Sequence, residues 1–380
     1  MTRPVLGVRL TGWGGYAPSL VLTNADLEKM VETNDEWIVS RTGIRERRIA
    51  GPDETTASMA AVAGLRAIAT AGLEPDDIDL ILVGTLTADY PMPSAAALVK
   101  SAIGNKRAAA MDLAAACSGF LFGYATAYAY IMSGFAKHVL VIGAETLSRA
   151  TDWTDRGTCI LFGDGAGAAV LSASEEPGGT RGVHLTTEPS GAYFIWLPAG
   201  GAARPANAAT LEAREHFMKM KGSETFRMAV RTLGSTATAA VQKAGWTLDE
   251  VDLVIPHQAN IRIIEGLAKA LDFPMDKVFV NVQCYGNTSA ASVPLALAEA
   301  VDAGRVKPGD KILLVAFGAG LTSAAIAFEW TGDPAEAARA AGIGPEQVSI
   351  APGYLDAVNP FPPDLEWVRA RQSSPAVEPA

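Results

Sequence analysis

The feature that most constrains this chain is that it repeats itself. The segment A-T-A-G-L-E-P-D-D-I-D-L-I-L-V-G (69–84) returns as V-Q-K-A-G-W-T-L-D-E-V-D-L-V-I-P-H (241–257). Ala71-Gly72 pairs with Ala244-Gly245 and Asp79-Leu80 with Asp252-Leu253, both 173 positions apart. Val139 to Ile142 and Ile312 to Val315, two short apolar runs, keep that offset. Between these anchors Ser133-Gly134 matches Ala303-Gly304 at 170, so the repeat contains a three-residue gap. Phe162-Gly163-Asp164-Gly165 and Phe317-Gly318-Ala319-Gly320 each lead into an apolar run and read as matching ends of the two halves.

Runs such as Leu80 to Val83 and Lys311 to Ala316 have the length and continuity of strands buried on both faces. The Ala-rich segment after Cys117 reads as a buried helix. Strands alternating with helices give a layered α/β architecture. Two such halves predict a five-layer α-β-α-β-α stack with a pseudo-twofold axis, the halves covering 1–175 and 176–330.

The repeat also positions chemistry. At 173, His257 falls on Gly84, just past a strand; at 170, Asn287 falls on Cys117. Ligands of open α/β sheets sit at the carboxyl ends of strands, where such equivalent residues converge. Met111-Asp112-Leu113 reads as a strand and the segment from about Ser118 as a helix. Cys117 therefore lies near a helix N-terminus, where free N–H groups and the dipole favour a thiolate.

Taken singly, Cys117 reads equally as an inert buried thiol, His257 as a structural histidine, and Asn287 as a turn residue. Together a thiol, an imidazole and a carboxamide beside small residues form the set for acyl transfer through a covalent thioester. Cys159 and Cys284 have no comparable setting and are assigned to packing. His138, His184 and His216 read as structural.

Composition removes other classes. A net charge of −10 argues against a general nucleic-acid binder. The cluster Arg41, Arg45, Arg47 and Arg48 is a local exception, which from charge alone reads as a solvated surface or a binding patch. Three cysteines give no disulfide framework and fit a reducing compartment. No Cys-x-x-Cys or His-x-x-x-His spacing suggests a metal. The first ten residues run into a strand without a signal-peptide core. No apolar run reaches the ~18 residues of a membrane helix. A soluble cytoplasmic protein is expected. Gly163-Asp164-Gly165-Ala166-Gly167 leads into a strand-like run, so it fails as a dinucleotide fingerprint.

Five segments resemble the thiolase-like condensing enzymes, most closely the β-ketoacyl-acyl carrier protein synthase III family. They are N-D-E-W-I-V-S-R-T-G-I-R-E-R-R-I (34–49), the surroundings of Cys117, T-D-W-T-D-R-G-T (151–158), P-H-Q-A-N-I-R-I-I (256–264) and Y-G-N-T-S-A-A-S-V-P (285–294). They stand in family order, and the similarity runs from about residue 6 to 330.

That resemblance implies the thiolase-like fold and a decarboxylative Claisen condensation that initiates type II fatty acid synthesis. Cys117 would be the nucleophile, acylated by a short acyl-CoA, which is a substrate and not a cofactor. His257 and Asn287 would hold the carbonyl of malonyl-acyl carrier protein and stabilise the enolate as CO2 leaves, donors for which the physics asks no general base. The backbone N–H groups of Cys117 and Ala319 would form a second oxyanion hole. The family usually has glycine where Ala319 stands.

The matching positions further imply Trp37 stacking on the adenine of CoA, with Arg41 and Arg156 near the nucleotide. Asn260 and Gly222 would line the pantetheine tunnel. Arg262, Arg227 and Lys269 would dock the acidic carrier protein by electrostatic steering. Met92 matches a position that a homodimer partner inserts into the acyl pocket.

Relatives are separated by residues this chain lacks. Degradative thiolases carry a second cysteine in the turn occupied here by Phe317-Gly318-Ala319-Gly320. Elongating synthases use two histidines, whereas Asn287 takes the second place here. A related ketosynthase or non-decarboxylating acyltransferase of secondary metabolism is the nearest alternative. A non-catalytic scaffold is a third, against which the intact trio argues. Residues 331–380 extend beyond the family, with a short helix expected at Pro334 to Ala341, then a Pro-rich tail whose Phe361 and Trp367 could anchor a partner.

Overall fold

Each apolar run buries alternate residues in two different cores. In the computed structural model, which describes residues 5–332, Leu80 and Leu82 face the middle of the molecule, and Ile81 and Val83 face an outer helix layer. In the second half Ile312 and Leu314 face the same middle, and Leu313 and Val315 the opposite outer layer. A strand covered on both faces needs no polar alternation, hence the continuous hydrophobic runs.

The first sheet contains β1 (Gly7–Tyr16), β2 (Leu80–Gly84), β3 (Ala109–Leu113), β4 (His138–Thr146) and β5 (Asp164–Ser174), in the order β1-β5-β4-β2-β3. The second contains β6 (Thr180–Thr187), β7 (Leu253–Pro256), β8 (Lys311–Gly318) and β9 (Thr322–Glu329), in the order β7-β8-β9-β6. Leu80 pairs in parallel with Val139, and Leu253 with Ile312, so the register itself is duplicated. A single bridge from Val254 to Val278 stands where β3 flanks β2 in the first sheet.

Six helices complete the layers: α1 (Thr56–Thr70), α2 (Ala95–Ala102), α3 (Gly119–Met132), α4 (Gly222–Lys243), α5 (Ile261–Ala270) and α6 (Ser292–Asp302). Residues of α3 and α6 share the central core with the inner faces of both sheets. Those of α1 and α2 cover the first sheet, and those of α4 and α5 the second. The result is the five-layer α-β-α-β-α stack that the repeat predicts.

Two sequence alignments are corrected. α3 and α6 begin at Gly119 and Ser292, 173 apart, but contain 14 and 11 residues. The gap therefore lies in the central helix, after Cys117, and the counterpart of Cys117 is Ala290 rather than Asn287. Likewise Phe317-Gly318 closes β8, whereas Phe162-Gly163 precedes β5, so the two motifs are not equivalent.

The arginine cluster also divides. Arg47 is fully buried, its guanidinium donating to the Leu22 carbonyl, Asn24 Oδ1 and the Ile160 carbonyl. It is a strut between the antiparallel strand pair Leu20–Thr23 and Glu46–Ile49 and the segment at Ile160. Arg41 and Arg45 stay exposed. The expected helix at Pro334 to Ala341, with Phe361 and Trp367, lies outside the described residues. Among the described residues no helix is long and apolar enough to cross a membrane.

Candidate active site

Between β3 and α3 the chain makes one tight turn, Ala116–Ser118. Ala116 takes a left-handed conformation (φ +49°), tolerable for a small side chain and costing about 1 kcal/mol or more. Three hydrogen bonds hold the turn: Ser118 N–H to the Ala115 carbonyl (3.1 Å), Ser118 Oγ to the Thr322 carbonyl (3.3 Å) and Thr322 Oγ1 to the Ala115 carbonyl (2.8 Å). Gly318, ending β8, lies so close that a Cβ there would stand 2.6 Å from the Cys117 nitrogen. The two halves thus meet at the thiol.

His257 follows β7 and its N–H binds the Val315 carbonyl at 2.8 Å. Nδ1 lies 2.6 Å from Ser292 Oγ, at the first residue of α6. The same oxygen accepts the Gln258 N–H at 3.4 Å. A hydroxyl that accepts from Gln258 and donates to Nδ1 fixes the imidazole proton on Nε2. Burial pushes the ring's pKa down from 6.5 to about 3, so His257 is a neutral donor.

Asn287 is held on three sides. Its N–H binds the Leu161 carbonyl (2.8 Å) and its carbonyl accepts the Gly163 N–H (3.1 Å). Its Oδ1 accepts the Ser289 N–H at 2.8 Å. With the acceptor occupied, the amide NH2 is the end left to donate. The Gly163–Gly167 stretch enters β5, as its failure as a fingerprint predicts, and here it fixes Asn287.

Cys117, His257, Asn287 and Ala319 line one cavity of about 550 Å3. Arg41, Gly222, Arg227, Asn260 and Arg262 line its outer part, with Leu86, Leu147, Phe162 and Phe317 among the apolar wall. Asn260 also caps α5, its side chain accepting the Ile263 N–H at 3.0 Å. Trp37 lies outside this lining, its ring flanked by Arg41 at 4.6 Å and Arg156 at 4.8 Å. Lys269 is exposed at the end of α5, one face with Arg262 and away from the cavity. Met92 is 86% exposed and does not enter this chain's own pocket.

The thiol's electrostatics correct the expectation from its helix. Cys117 touches the cavity yet is closely enclosed, and desolvation pushes its pKa up to about 11, with the Glu145 charge adding to the rise and the Ser289 hydroxyl opposing it. Sequence reasoning also missed Ser289, Ser292 and Glu145. The signal available for Ser289 was its 173-residue separation from Ala116, whose backbone it copies (φ +50°).

Two family models match, 3-oxoacyl-[acyl-carrier-protein] synthase III over residues 111–189 and its C-terminal model over 241–330. The β-ketoacyl-[acyl-carrier-protein] synthase III of Desulfitobacterium hafniense is 49% identical over 86% of this chain and 99% of its own. The chain belongs to the β-ketoacyl-[acyl-carrier-protein] synthase III family. The Caldanaerobacter subterraneus synthase III is 48% identical over 85% of this chain and 97% of its own. The crystal structure of the Aquifex aeolicus synthase III superposes with a TM-score of 0.79 at 47% identity, covering 85% of this chain and all of that one. The priming β-ketosynthase of the R1128 polyketide pathway superposes at 0.81 with 36% identity, covering 88% and 99%. Both synthase III models and the Cys-His-Asn site thus fall on one thiolase-like fold.

Proposed function

We propose that the chain condenses a short-chain acyl-CoA with malonyl-acyl carrier protein and releases CO2, the priming step of type II fatty acid synthesis. The observation that carries this reading is the disposition of two buried side chains beside a thiol. His257 Nδ1 and Asn287 Oδ1 are both occupied, by Ser292 and Ser289, so each presents a donor to the Cys117 cavity. Paired neutral donors fixed in a desolvated site stabilise an enolate oxyanion without reorganising.

Cys117 Sγ attacks the acyl-CoA carbonyl and the CoA thiol leaves. The malonyl thioester then places its carbonyl oxygen on His257 and Asn287. Loss of CO2 leaves the enolate there, and its carbon attacks the acyl-Cys117 carbonyl. The oxyanion formed in that step is taken by the Cys117 and Ala319 N–H groups. Cys117 departs and the 3-oxoacyl product stays on the carrier.

Trp37, Arg41 and Arg156 bind the nucleotide end of CoA, Gly222 and Asn260 the pantetheine arm, and Arg262, Arg227 and Lys269 the carrier protein. The enzyme acts as a cytoplasmic homodimer. The homodimer is supported by the open edge at β3 and by the exposure of Leu86, Tyr90 and Met92, at 44%, 43% and 86%. Purified protein given acetyl-CoA and malonyl-acyl carrier protein should yield 3-oxoacyl-carrier protein and CO2 in equal amounts. Acyl exchange without CO2 release, across straight and branched primers, would instead favour the non-decarboxylating alternative.

A further inference from the structure

Glu145, the penultimate residue of β4, is completely buried. Its oxygens accept from Thr85 Oγ1 (3.2 Å), the Leu86 N–H (3.2 Å), Thr87 Oγ1 and Ser289 Oγ (3.1 Å). None of these partners is cationic. Three are hydroxyls, which can accept as well as donate, so the site has partners for a carboxylic acid as well as for a carboxylate. A buried acid with such partners is built to change its protonation state.

Ser289 lines the same cavity as Cys117, and its hydroxyl lies close enough to the thiol to act on its titration. It can accept the S–H while donating to Glu145 Oε1, a directed path from thiol to carboxylate. The other charged groups on the elements packed against β4 are engaged elsewhere. Asp164 holds Ser148 and the Ala50 N–H, Arg66 the Gly15 carbonyl, Glu299 Asn281 and Asp302 Trp13. The buried Tyr124 hydroxyl pairs with Thr180. His257, the imidazole of the cavity lining, has Nδ1 occupied and resists protonation down to about pH 3, so it is the poorer acceptor.

We propose that Glu145, through the Ser289 hydroxyl, takes the Cys117 proton during acylation and returns it when the product leaves. The S–H proton passes to Ser289 Oγ as the Ser289 proton passes to Oε1. Sγ–C forms, the C–S bond to CoA breaks, and the CoA thiolate draws its proton from solvent at the cavity mouth. In the acyl-enzyme Glu145 is neutral, which removes a negative charge from beside the developing enolate. When the C–C bond forms and Sγ–C breaks, the thiolate recovers the proton by the reverse path. Glu145 acts through Ser289 and is a positioning residue for the proton.

This inference rests on Cys117 being the acylated thiol. The test is single-turnover acylation by acetyl-CoA, followed by intact mass from pH 5 to 9, with malonyl-carrier decarboxylation measured alongside. The wild-type acylation rate should rise with pH and level off near 7, where burial raises the Glu145 carboxyl. Glu145→Gln should lose that limb and lower the ratio of acylation to decarboxylation at least tenfold. Ser289→Ala, which keeps the backbone donor to Asn287, should do the same. A wild-type rate climbing without a plateau to pH 9, an unchanged ratio in the folded variants, or equal loss of both half-reactions would overturn the relay. Failure of wild-type Cys117 to acylate with any acyl-CoA would instead remove the nucleophile assignment beneath it.

Discussion

Ala116 and Ser289, 173 positions apart, adopt the same left-handed backbone, with φ of +49° and +50°. Each precedes a central helix, α3 or α6, by three residues. One turn presents the thiol of Cys117. The other presents the hydroxyl that binds Glu145 and the N–H that orients Asn287. A duplicated strained turn has been divided between nucleophile and support, and the strain is retained in both copies.

The contact between Gly318 and the nucleophile turn makes the first prediction. A Cβ at Gly318 would meet the Cys117 nitrogen at 2.6 Å and the Ser118 nitrogen at 3.2 Å, both rigid backbone atoms. Gly318→Ala should displace the thiol and cut Cys117 acylation by about 100-fold, the scale of an ångström misplacement at a reacting atom. Stopped acylation timed by intact mass measures it, and circular dichroism verifies the fold.

Asn287→Asp keeps an oxygen for the Ser289 N–H but replaces the donor with a carboxylate oxygen. Malonyl-carrier decarboxylation should fall about 100- to 1000-fold, the cost of losing one oxyanion donor. Acyl transfer to Cys117 should fall far less. Ser292→Ala should lower decarboxylation about tenfold, by releasing His257 Nδ1 and mixing its tautomers. CO2 release assays on both variants decide it.

Glu145 makes stability depend on pH. Burial raises its pKa from 4.5 to about 7, so between those values the folded chain holds a proton that the unfolded chain has lost. Stability contributed by the acid is full below 4.5 and lost as pH rises toward 7, by up to about 1.4 kcal/mol per unit. His257, depressed from 6.5 to about 3, works oppositely, losing stability as pH falls below 6.5. That contribution is common to wild type and Glu145→Gln and cancels in their difference. Urea unfolding should therefore show the Gln variant gaining on wild type between pH 5 and 8; a constant difference would contradict the shift.

Two guanidinium groups, of Arg41 and Arg156, stand over the Trp37 ring at 4.6 and 4.8 Å from its centroid, outside the cavity that holds the chemistry. Trp37→Ala should raise the KM for acetyl-CoA about tenfold, equivalent to about 1.4 kcal/mol, and leave kcat within twofold. Steady-state kinetics with acetyl-CoA and with a short acyl-pantetheine separate the effects, since the latter lacks the adenine and should be insensitive.

Much of this architecture was legible because apolar period and duplication are local signals. Leu80 to Val83 and Ile312 to Val315 announce doubly covered strands by composition alone, and His257 follows a strand end that the repeat picks out, whereas Asn287 follows the short helix Val282–Tyr285 and has no such mark. The gap was misplaced because a three-residue shortening of an apolar helix leaves no mark on its flanks. Ser292, Ser289 and Glu145 were invisible because their meaning lies in contacts 35 and 144 residues away. The thiol's raised pKa was missed because a helix terminus can be read from sequence and the surrounding desolvation cannot.

The most direct test of the central claim is intact mass of the protein after incubation with acetyl-CoA, with peptide mapping, then addition of malonyl-acyl carrier protein. A single acetyl adduct on Cys117 that vanishes as 3-oxoacyl-carrier protein appears is the predicted result. An adduct elsewhere, or a Cys117→Ala protein that still condenses the two substrates, would contradict it.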